Sequence, residues 1–389
     1  MYKQRNFSRR YRGRRNTNGR RFNKKTFDPR NIIGEKNDPV EDSYVIKNQF
    51  SDFSIQDRLK QNIARRGYKT PTPIQDQAIP KILAGHDVAG TANTGTGKTA
   101  AFLIPLIDKN IKNNRSRTLI ITPTRELAVQ IEKELQSLSI NLRVSSVICI
   151  GGVPIRPQIS RLYRNPNFVI GTPGRLIDLS DQRVLNFAGF DSIVLDEVDR
   201  MLDMGFIHDV KSIVSKLPRN RQSLFFSATL DEKTKSVMSE FTKDPVIISV
   251  KSRDTRSNVH QEIVKIGGRN KADVLCDILD QREVEKSLVF VRTKRGADRL
   301  SRKLYSIGFK TAVIHGNRTQ NQRQRSLDQF RVGNVTVLVA TDVASRGIDV
   351  RDITHVINFD LPETYEDYIH RIGRTGRVDN KGIALSFIG

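Results

Sequence analysis

The sequence predicts an α/β protein of two tandem parallel-sheet lobes behind a disordered basic arm. From residue 50 onward, short apolar runs rich in β-branched residues alternate with amphipathic stretches, the pattern of buried strands covered by helices. A polar, charged run at 251–258, KSRDTRSN, divides this alternation into two series of similar size. Residues 1–25 hold eleven Lys and Arg and no acid, interleaved with Tyr2, Phe7, Tyr11 and Phe22, and show no apolar periodicity.

The elements follow in chain order. Residues 1–49 read as the arm and a mixed-charge linker; the arm suits single-stranded nucleic acid, with arginines for phosphates and rings for bases, or a solubilising tail. Residues 50–250 form the first lobe, with strands expected at 118–122, 144–150, 168–170, 193–195, 223–226 and 246–250, and helices at 100–107, 126–138 and 207–217. Residues 251–258 are a linker. Residues 259–389 form the second lobe, with strands at 262–266, 288–291, 312–314, 335–340, 355–358 and 383–387, and helices at 272–281, 295–306 and 322–331. Ligands of open α/β sheets bind at the carboxyl ends of the strands, so functional residues are expected just after them.

Composition narrows the function. Hydrophobic residues make up 37% of the chain, enough for packed cores, but no run reaches the ~18 apolar residues of a membrane helix. Two cysteines exclude a disulfide framework and suit a reducing compartment. The N-terminal residues lack the apolar stretch of a secretory signal. A formal charge of +24 points to a polyanionic partner, nucleic acid before acidic membrane.

Two motifs carry chemistry. Ala92-Asn-Thr94-Gly95-Thr96-Gly97-Lys98-Thr99 is a phosphate-binding loop. Its glycines let backbone N–H groups approach phosphates, and a helix begins at the bound anion. Lys98 would reach the β- and γ-phosphates, and the Thr99 hydroxyl would hold Mg²⁺. Ile193-Val-Leu-Asp196-Glu197 is an apolar strand ending in acids, with Asp196 placed to bind the metal and Glu197 to position and deprotonate water.

Asp196-Glu197-Val198-Asp199 resembles the motif that names the DEAD-box RNA helicases of helicase superfamily 2, and the resemblance extends over residues 50–389 with motifs in the family's order. Gly67-Tyr68-Lys-Thr-Pro71-Thr72-Pro-Ile-Gln75, with Phe50 upstream, resembles the Q motif and implies ATP. Gln75 offers a donor and an acceptor to the adenine edge, and Tyr68 a ring to stack on it. Pro123-Thr124-Arg125-Glu126-Leu127-Ala128, Gly151-Gly152 and Thr172-Pro-Gly174-Arg175 resemble elements that hold RNA phosphates, which implies RNA contacts for Thr124, Arg125, Gly152, Thr172 and Arg175; on turn chemistry alone each is equally a capping turn. Ser227-Ala228-Thr229 resembles the motif that couples the ATP site to closure, implying that role for Ser227 and Thr229. Val198 departs from the family's Ala and leaves the acids intact.

In the second lobe, residues 288–293 resemble motif IV, and Gln320-Asn-Gln-Arg323 resembles an element implying RNA contacts for Gln320 and Arg323, with plain helix-surface residues as the alternative. Ala340-Thr341-Asp342-Val-Ala-Ser345-Arg346-Gly347-Ile-Asp349 resembles motif V: Thr341 would meet RNA phosphate, Asp349 the ATP ribose, and Arg346 would link the two sites. His370-Arg371-Ile-Gly373-Arg374-Thr-Gly376-Arg377 resembles motif VI, implying arginine fingers at Arg374 and Arg377 and a bridging His370. The chain ends at Gly389, inside or just after a strand, where family members usually add a last helix.

The resemblance implies two RecA-like lobes and an ATP- and Mg²⁺-dependent RNA helicase that locally unwinds short duplexes or remodels RNA–protein complexes, a cytoplasmic monomer. An ATP-gated RNA clamp and a DNA helicase or translocase remain open, since phosphate contacts do not distinguish them.

Overall fold

Two parallel sheets organise the chain in a computed structural model that describes residues 44–93, 95–250, 258–345, 350, 352–376 and 381–388. Residues 1–43 of the arm and linker, residues 251–257, and the expected site residues Thr94, Arg346, Asp349 and Arg377 lie outside the described residues.

The first lobe runs α1 (Asp57–Arg65), α2 (Pro73–Leu83), β1 (Val88–Thr91), α3 (Lys98–Lys112), β2 (Thr118–Ile121), α4 (Arg125–Leu138), β3 (Ser146–Cys149), α5 (Arg156–Leu162), β4 (Phe168–Gly171), α6 (Pro173–Asp181), β5 (Ser192–Asp196), α7 (Val198–Asp203), α8 (Ile207–Ser215), β6 (Gln222–Ser227), α9 (Glu232–Phe241) and β7 (Val246–Ser249). Its seven strands lie in the order β3-β4-β2-β5-β6-β1-β7. Successive strand residues feed opposite faces: Ile120, Val194, Leu224 and Phe226 join a core with Phe102 and Ile104, while Leu119, Ile193, Leu195 and Phe225 join one with Phe187 and Met201. Val198 is buried in the second of these cores.

The second lobe runs β8 (Val259–Lys265), α10 (Lys271–Leu279), β9 (Ser287–Phe290), α11 (Lys294–Ile307), β10 (Thr311–Ile314), α12 (Gln320–Arg331), β11 (Val337–Ala340), α13 (Asp342–Ser345), β12 (His355–Asn358), α14 (Tyr365–Ile372) and β13 (Gly382–Ile388). Its six-stranded sheet has the order β10-β11-β9-β12-β13-β8, again parallel throughout. No helix among the described residues is long and apolar enough to cross a membrane.

The structure adds β1, which the sequence pattern does not reveal. Ala89 and Gly90 are weak strand formers, and pairing with β6 on one side and β7 on the other holds them extended. Residues 44–48, expected in the linker, are fastened to the first lobe. The Asp76 carboxylate on α2 accepts from the Tyr44 hydroxyl at 2.8 Å, Lys47 N–H at 2.8 Å, and Asn48 N–H and Nδ2 at 3.1 and 2.6 Å. Burial alone would push Asp76 up, yet these donors hold it below the usual carboxylate range.

Candidate active site and nucleic-acid interface

The phosphate-binding loop joins β1 to α3. Gly95 has φ +86° and Gly97 φ +91°, so the loop turns through backbone that favours glycine. A Cβ at Gly97 would strike Gln75 Nε2. That close approach has a purpose: Gln75 Nε2 donates to the Gly97 carbonyl at 3.1 Å, while its Oε1 accepts from Thr72 N–H at 3.0 Å. Gln75 therefore braces the loop and keeps one N–H and one lone pair for a ligand. Lys98 is buried and donates to the Ala92 carbonyl at 2.7 Å, and Thr96 Oγ1 donates to Asn93 O at 2.8 Å. Thr99 stands half-buried in the first turn of α3. Phe50 is buried, stacks on Tyr68 with centroids 6.1 Å apart, and belongs to the first-lobe core as well as to the Q-motif block. The Tyr68 hydroxyl donates to Glu134.

The acids follow β5. Asp196 is buried and accepts from Glu197 N–H at 3.0 Å. Burial pushes its carboxyl well up; Lys98 opposes this and the Glu197 charge adds to it. Glu197 heads α7 in the left-handed region, φ 56° and ψ 53°. Its Oε2 pairs with Arg200 Nη1 at 2.6 Å, both side chains buried. Burial alone would raise Glu197, but Arg200, Lys98 and Arg374 hold it below its ordinary value. Two adjacent carboxyls are thus driven apart, one toward protonation and one toward ionisation. Both Asp199 carboxylate oxygens are buried without a hydrogen-bond partner. Ser227, fully buried, accepts from Asp199 N–H through Oγ at 3.4 Å, and its carbonyl accepts from Ala92 N–H at 3.2 Å, so it ties the acids to the phosphate loop. Thr229 is exposed.

Arg374 comes from the second lobe and acts on Glu197 of the first. Its Nε donates to the His370 carbonyl at 3.2 Å, and it is buried. His370 is half-buried at the end of α14. Neighbouring Arg371 grips Asp342 through Nε at 2.5 Å and Nη2 at 2.7 Å, donates to Asn358 Oδ1 at 3.0 Å, and lies 4.8 Å from the Phe290 ring centroid. It ties the ends of β9 and β12 to the start of α13.

A second constellation spans the lobes. Thr124 caps α4 by accepting from Leu127 N–H at 3.3 Å, which aims Arg125 across the sheet end. The Arg125 guanidinium lies on Gly151 and Gly152, where a Cβ at Gly152 (φ +74°) would collide with it. Thr172 precedes α6, and Arg175 pairs with Asp178 at 3.3 Å while its Nη1 is buried and unpartnered. From α12, Gln320 Nε2 donates to Glu126 Oε1 at 2.9 Å and Arg323 Nη2 meets Glu126 Oε2 at 3.0 Å. Arg323 Nε is also buried without a partner. Burial first, then the charges of Arg323 and Arg175, lower the Arg125 pKa against a counter-pull from Glu126. Three guanidiniums therefore act on one another here, with Glu126 and Asp178 as their counter-charges. Thr341 is buried just after β11, its N–H donating to Ile314 O at 3.2 Å.

Lys98, Thr99, Thr124, Arg125, Gly152, Thr172, Arg175, Asp196, Glu197, Ser227 and Thr229 thus follow the carboxyl ends of β1 to β6, as open-sheet topology leads one to expect, while Phe50, Tyr68 and Gln75 precede β1, with Gln75 bonding the loop at Gly97. Sequence reasoning missed Arg200, Glu126 and Arg371 as organisers. The signal for Arg200 is its spacing three residues after Glu197 on a helical turn. Among the described residues no group of three or more His, Cys, Asp or Glu forms a metal cluster.

The DEAD/DEAH box helicase family pattern matches residues 72–237, and the helicase conserved C-terminal domain matches residues 270–379. The DEAD-box ATP-dependent RNA helicase CshA of Bacillus subtilis is 44% identical over 341 residues, 87% of this chain and 69% of that protein. The chain spans about two thirds of the length of such bacterial relatives. A DEAD box protein from Methanococcus jannaschii is 39% identical, with 88% of this chain and 94% of that chain covered and a TM-score of 0.53. Dbp5 of S. cerevisiae bound to RNA and ADP BeF3 is 28% identical, with 88% and 90% covered, and superposes better, at a TM-score of 0.78.

Proposed function

Because this chain belongs to the DEAD-box ATP-dependent RNA helicases, we propose that it hydrolyses ATP when RNA draws its two lobes together, and that this cycle locally opens short duplexes or remodels RNA–protein complexes. One observation carries the reading: both constellations straddle the lobes, through Arg374 acting on Glu197 and through Gln320 and Arg323 holding Glu126. A site completed only by closure couples nucleotide and RNA reciprocally.

Each residue then has a task. Gln75 and Tyr68 read adenine, and Asp349 takes the ribose. Lys98 and the loop N–H groups from Gly95 to Gly97 bind phosphates. Magnesium fits this site: burial drives Asp196 toward protonation, which a divalent cation reverses, and Asp199 presents two unpartnered oxygens to a hydration shell. Held by Asp196, Thr99 and the phosphates, the ion would neutralise charge on the transferring group. Glu197 keeps Oε2 on Arg200, which leaves Oε1 to orient a water and receive its proton. Arg374 and Arg377 stabilise the charge on the γ-phosphoryl, an effect worth roughly 10³–10⁵ in rate. Ser227, Thr229, Arg346 and His370 relay closure.

Thr124, Arg125, Gly152, Thr172, Arg175, Gln320, Arg323 and Thr341 line the RNA path, and the crowded guanidiniums with buried, unpartnered N–H groups support a phosphate ligand there. Two free cysteines, Cys149 buried and Cys276 partly so, support a cytoplasmic protein. We read it as a monomer.

The test is steady-state ATPase with Mg²⁺, first without nucleic acid, then with single-stranded RNA, then with matched DNA. Stimulation by RNA alone is expected; equal stimulation by DNA moves the reading to a DNA motor. Release of the strand from a short duplex then separates a helicase from a clamp. Glu197→Gln should bind RNA tightly with ATP and turn over little, and normal turnover removes Glu197 from its role.

A further inference from the structure

The first turns of α11 present a feature that neither constellation uses. Arg295, Arg299 and Arg302 are exposed and recur at i, i+4 and i+7 on one helix face. They line, with Thr293, Gly296 and Asp298, an open cleft of about 470 Å³. A solvated helix face ordinarily mixes signs, so that neighbours four apart attract. Here the one acid of α11, Asp298, also lines the cleft but is engaged by other partners: its Oδ1 meets Arg318 Nη2 at 2.6 Å and His315 Nε2 at 3.0 Å, both in the loop after β10. Among the described residues none of the three arginines pairs with a carboxylate, and Arg302 reaches only the Asp298 carbonyl, at 3.3 Å. The face is held cationic against its own repulsion.

The same loop makes it continuous with the inter-lobe constellation. Lys294 Nζ donates to Asn317 Oδ1 at 2.9 Å, and residues 315–319 run directly into Gln320 at the start of α12. We propose that Arg295, Arg299 and Arg302 form a phosphate track that carries the RNA strand onward from the inter-lobe constellation along α11. This rests on the RNA reading above. The track extends about 10 Å at 1.5 Å per residue. That is roughly three nucleotide rises of 3.4 Å, longer than one bound anion requires.

The experiment uses the full chain with a non-hydrolysable ATP analogue and two oligouridylates, about 6 and about 15 nucleotides long, the longer one reaching about 30 Å beyond the shorter at 3.4 Å per nucleotide, enough to run past the inter-lobe constellation and along the ~10 Å track. The wild-type protein should bind the longer strand more tightly, with a salt slope steeper by about 2 units, three contacts at about 0.7 each. In R299Q/R302Q the additional slope should fall by about 1.4 units. R299K/R302K, which keeps the charge, should restore it, which separates lost charge from lost folding. A variant with the wild-type gain on the longer strand overturns the track and leaves the face to an acidic protein. Equal weakening on both strands also overturns it. If the wild-type protein binds neither oligomer, the RNA reading falls with it; binding by the wild type with an unchanged variant sinks the track alone.

Discussion

Glu126 is one carboxylate asked to hold two lobes. Replacing it with Ala removes two charge-assisted contacts, to Gln320 at 2.9 Å and Arg323 at 3.0 Å, with the Glu126 and Arg323 side chains 3% and 12% exposed. Hydrogen bonds to charged groups contribute about 1.5–3 kcal/mol each, and breaking a buried pair costs roughly 3–5 kcal/mol. Each lobe has its own sheet and cores, so the loss falls on closure rather than on folding, and separated lobes rehydrate both partners. A closure penalty of about 2–4 kcal/mol is the result, or roughly 30- to 700-fold weaker RNA binding with an ATP analogue at 1.4 kcal/mol per decade. Lys133 and Asp328 supply the control. They also bridge the lobes, at 3.2 Å, but are 51% and 46% exposed, and such pairs contribute about 0–1 kcal/mol. The assay is equilibrium RNA binding with and without the analogue for E126A, R323A, the double variant and K133A, with melting curves as a folding control. An E126A effect no larger than that of K133A, or a coupling energy between Glu126 and Arg323 below about 0.5 kcal/mol, refutes the reasoning.

Other outcomes follow from the same geometry. Arg200→Gln removes the cation that most lowers Glu197, so the acid limb of the kcat–pH profile should move to higher pH; an unmoved limb means that Arg200 does not hold the base ionised. Gly152→Ala puts a methyl group where the Arg125 guanidinium rests, in backbone at φ +74°, so RNA affinity should fall well before thermal stability does; the reverse order means that the doublet is only a turn. His355 is buried in β12, and burial lowers its pKa below the ordinary ~6.5, so the unfolded chain binds this proton more readily. Its contribution makes stability rise with pH between the lowered value and about 6.5 and fall as acid is added below that, and His355→Gln should flatten this part of the stability–pH curve measured by denaturant unfolding.

α3, α4, α8, α10, α11, α12 and most strands were legible because their signals are local; α1, α2, α5, α6, α9 and α14 were not among the expected helices. α4 and α11 have strong apolar periodicity with Thr124 and Thr293 as caps, and β5 and β9 are apolar runs bounded by polar residues. β1 was not, since VAGT becomes a strand only between β6 and β7. The candidate nucleotide site could be proposed from sequence because its loop, 92–99, and its acids, 196 and 197, are each an unbroken run. The second tasks of its residues could not: nothing local says that Gln75 braces Gly97 or that Ser227 joins Asp199 to Ala92, because those partners meet only through the order of the strands. The Glu126 contacts lie further out of reach, since Gln320 is 194 residues away.

Glu197 occupies left-handed backbone that side-chain-bearing residues enter at a cost of roughly 1–3 kcal/mol. The turn aims the side chain where neither the strand before it nor the helix after it would. A search for heat-resistant variants should therefore be drawn to this position, since glycine or asparagine would relax the turn, and every such gain in melting temperature would be taken from turnover. Tolerance to substitution at Glu197 would then depend on which property is selected, and a chain optimised for endurance alone would drift away from its chemistry at this turn.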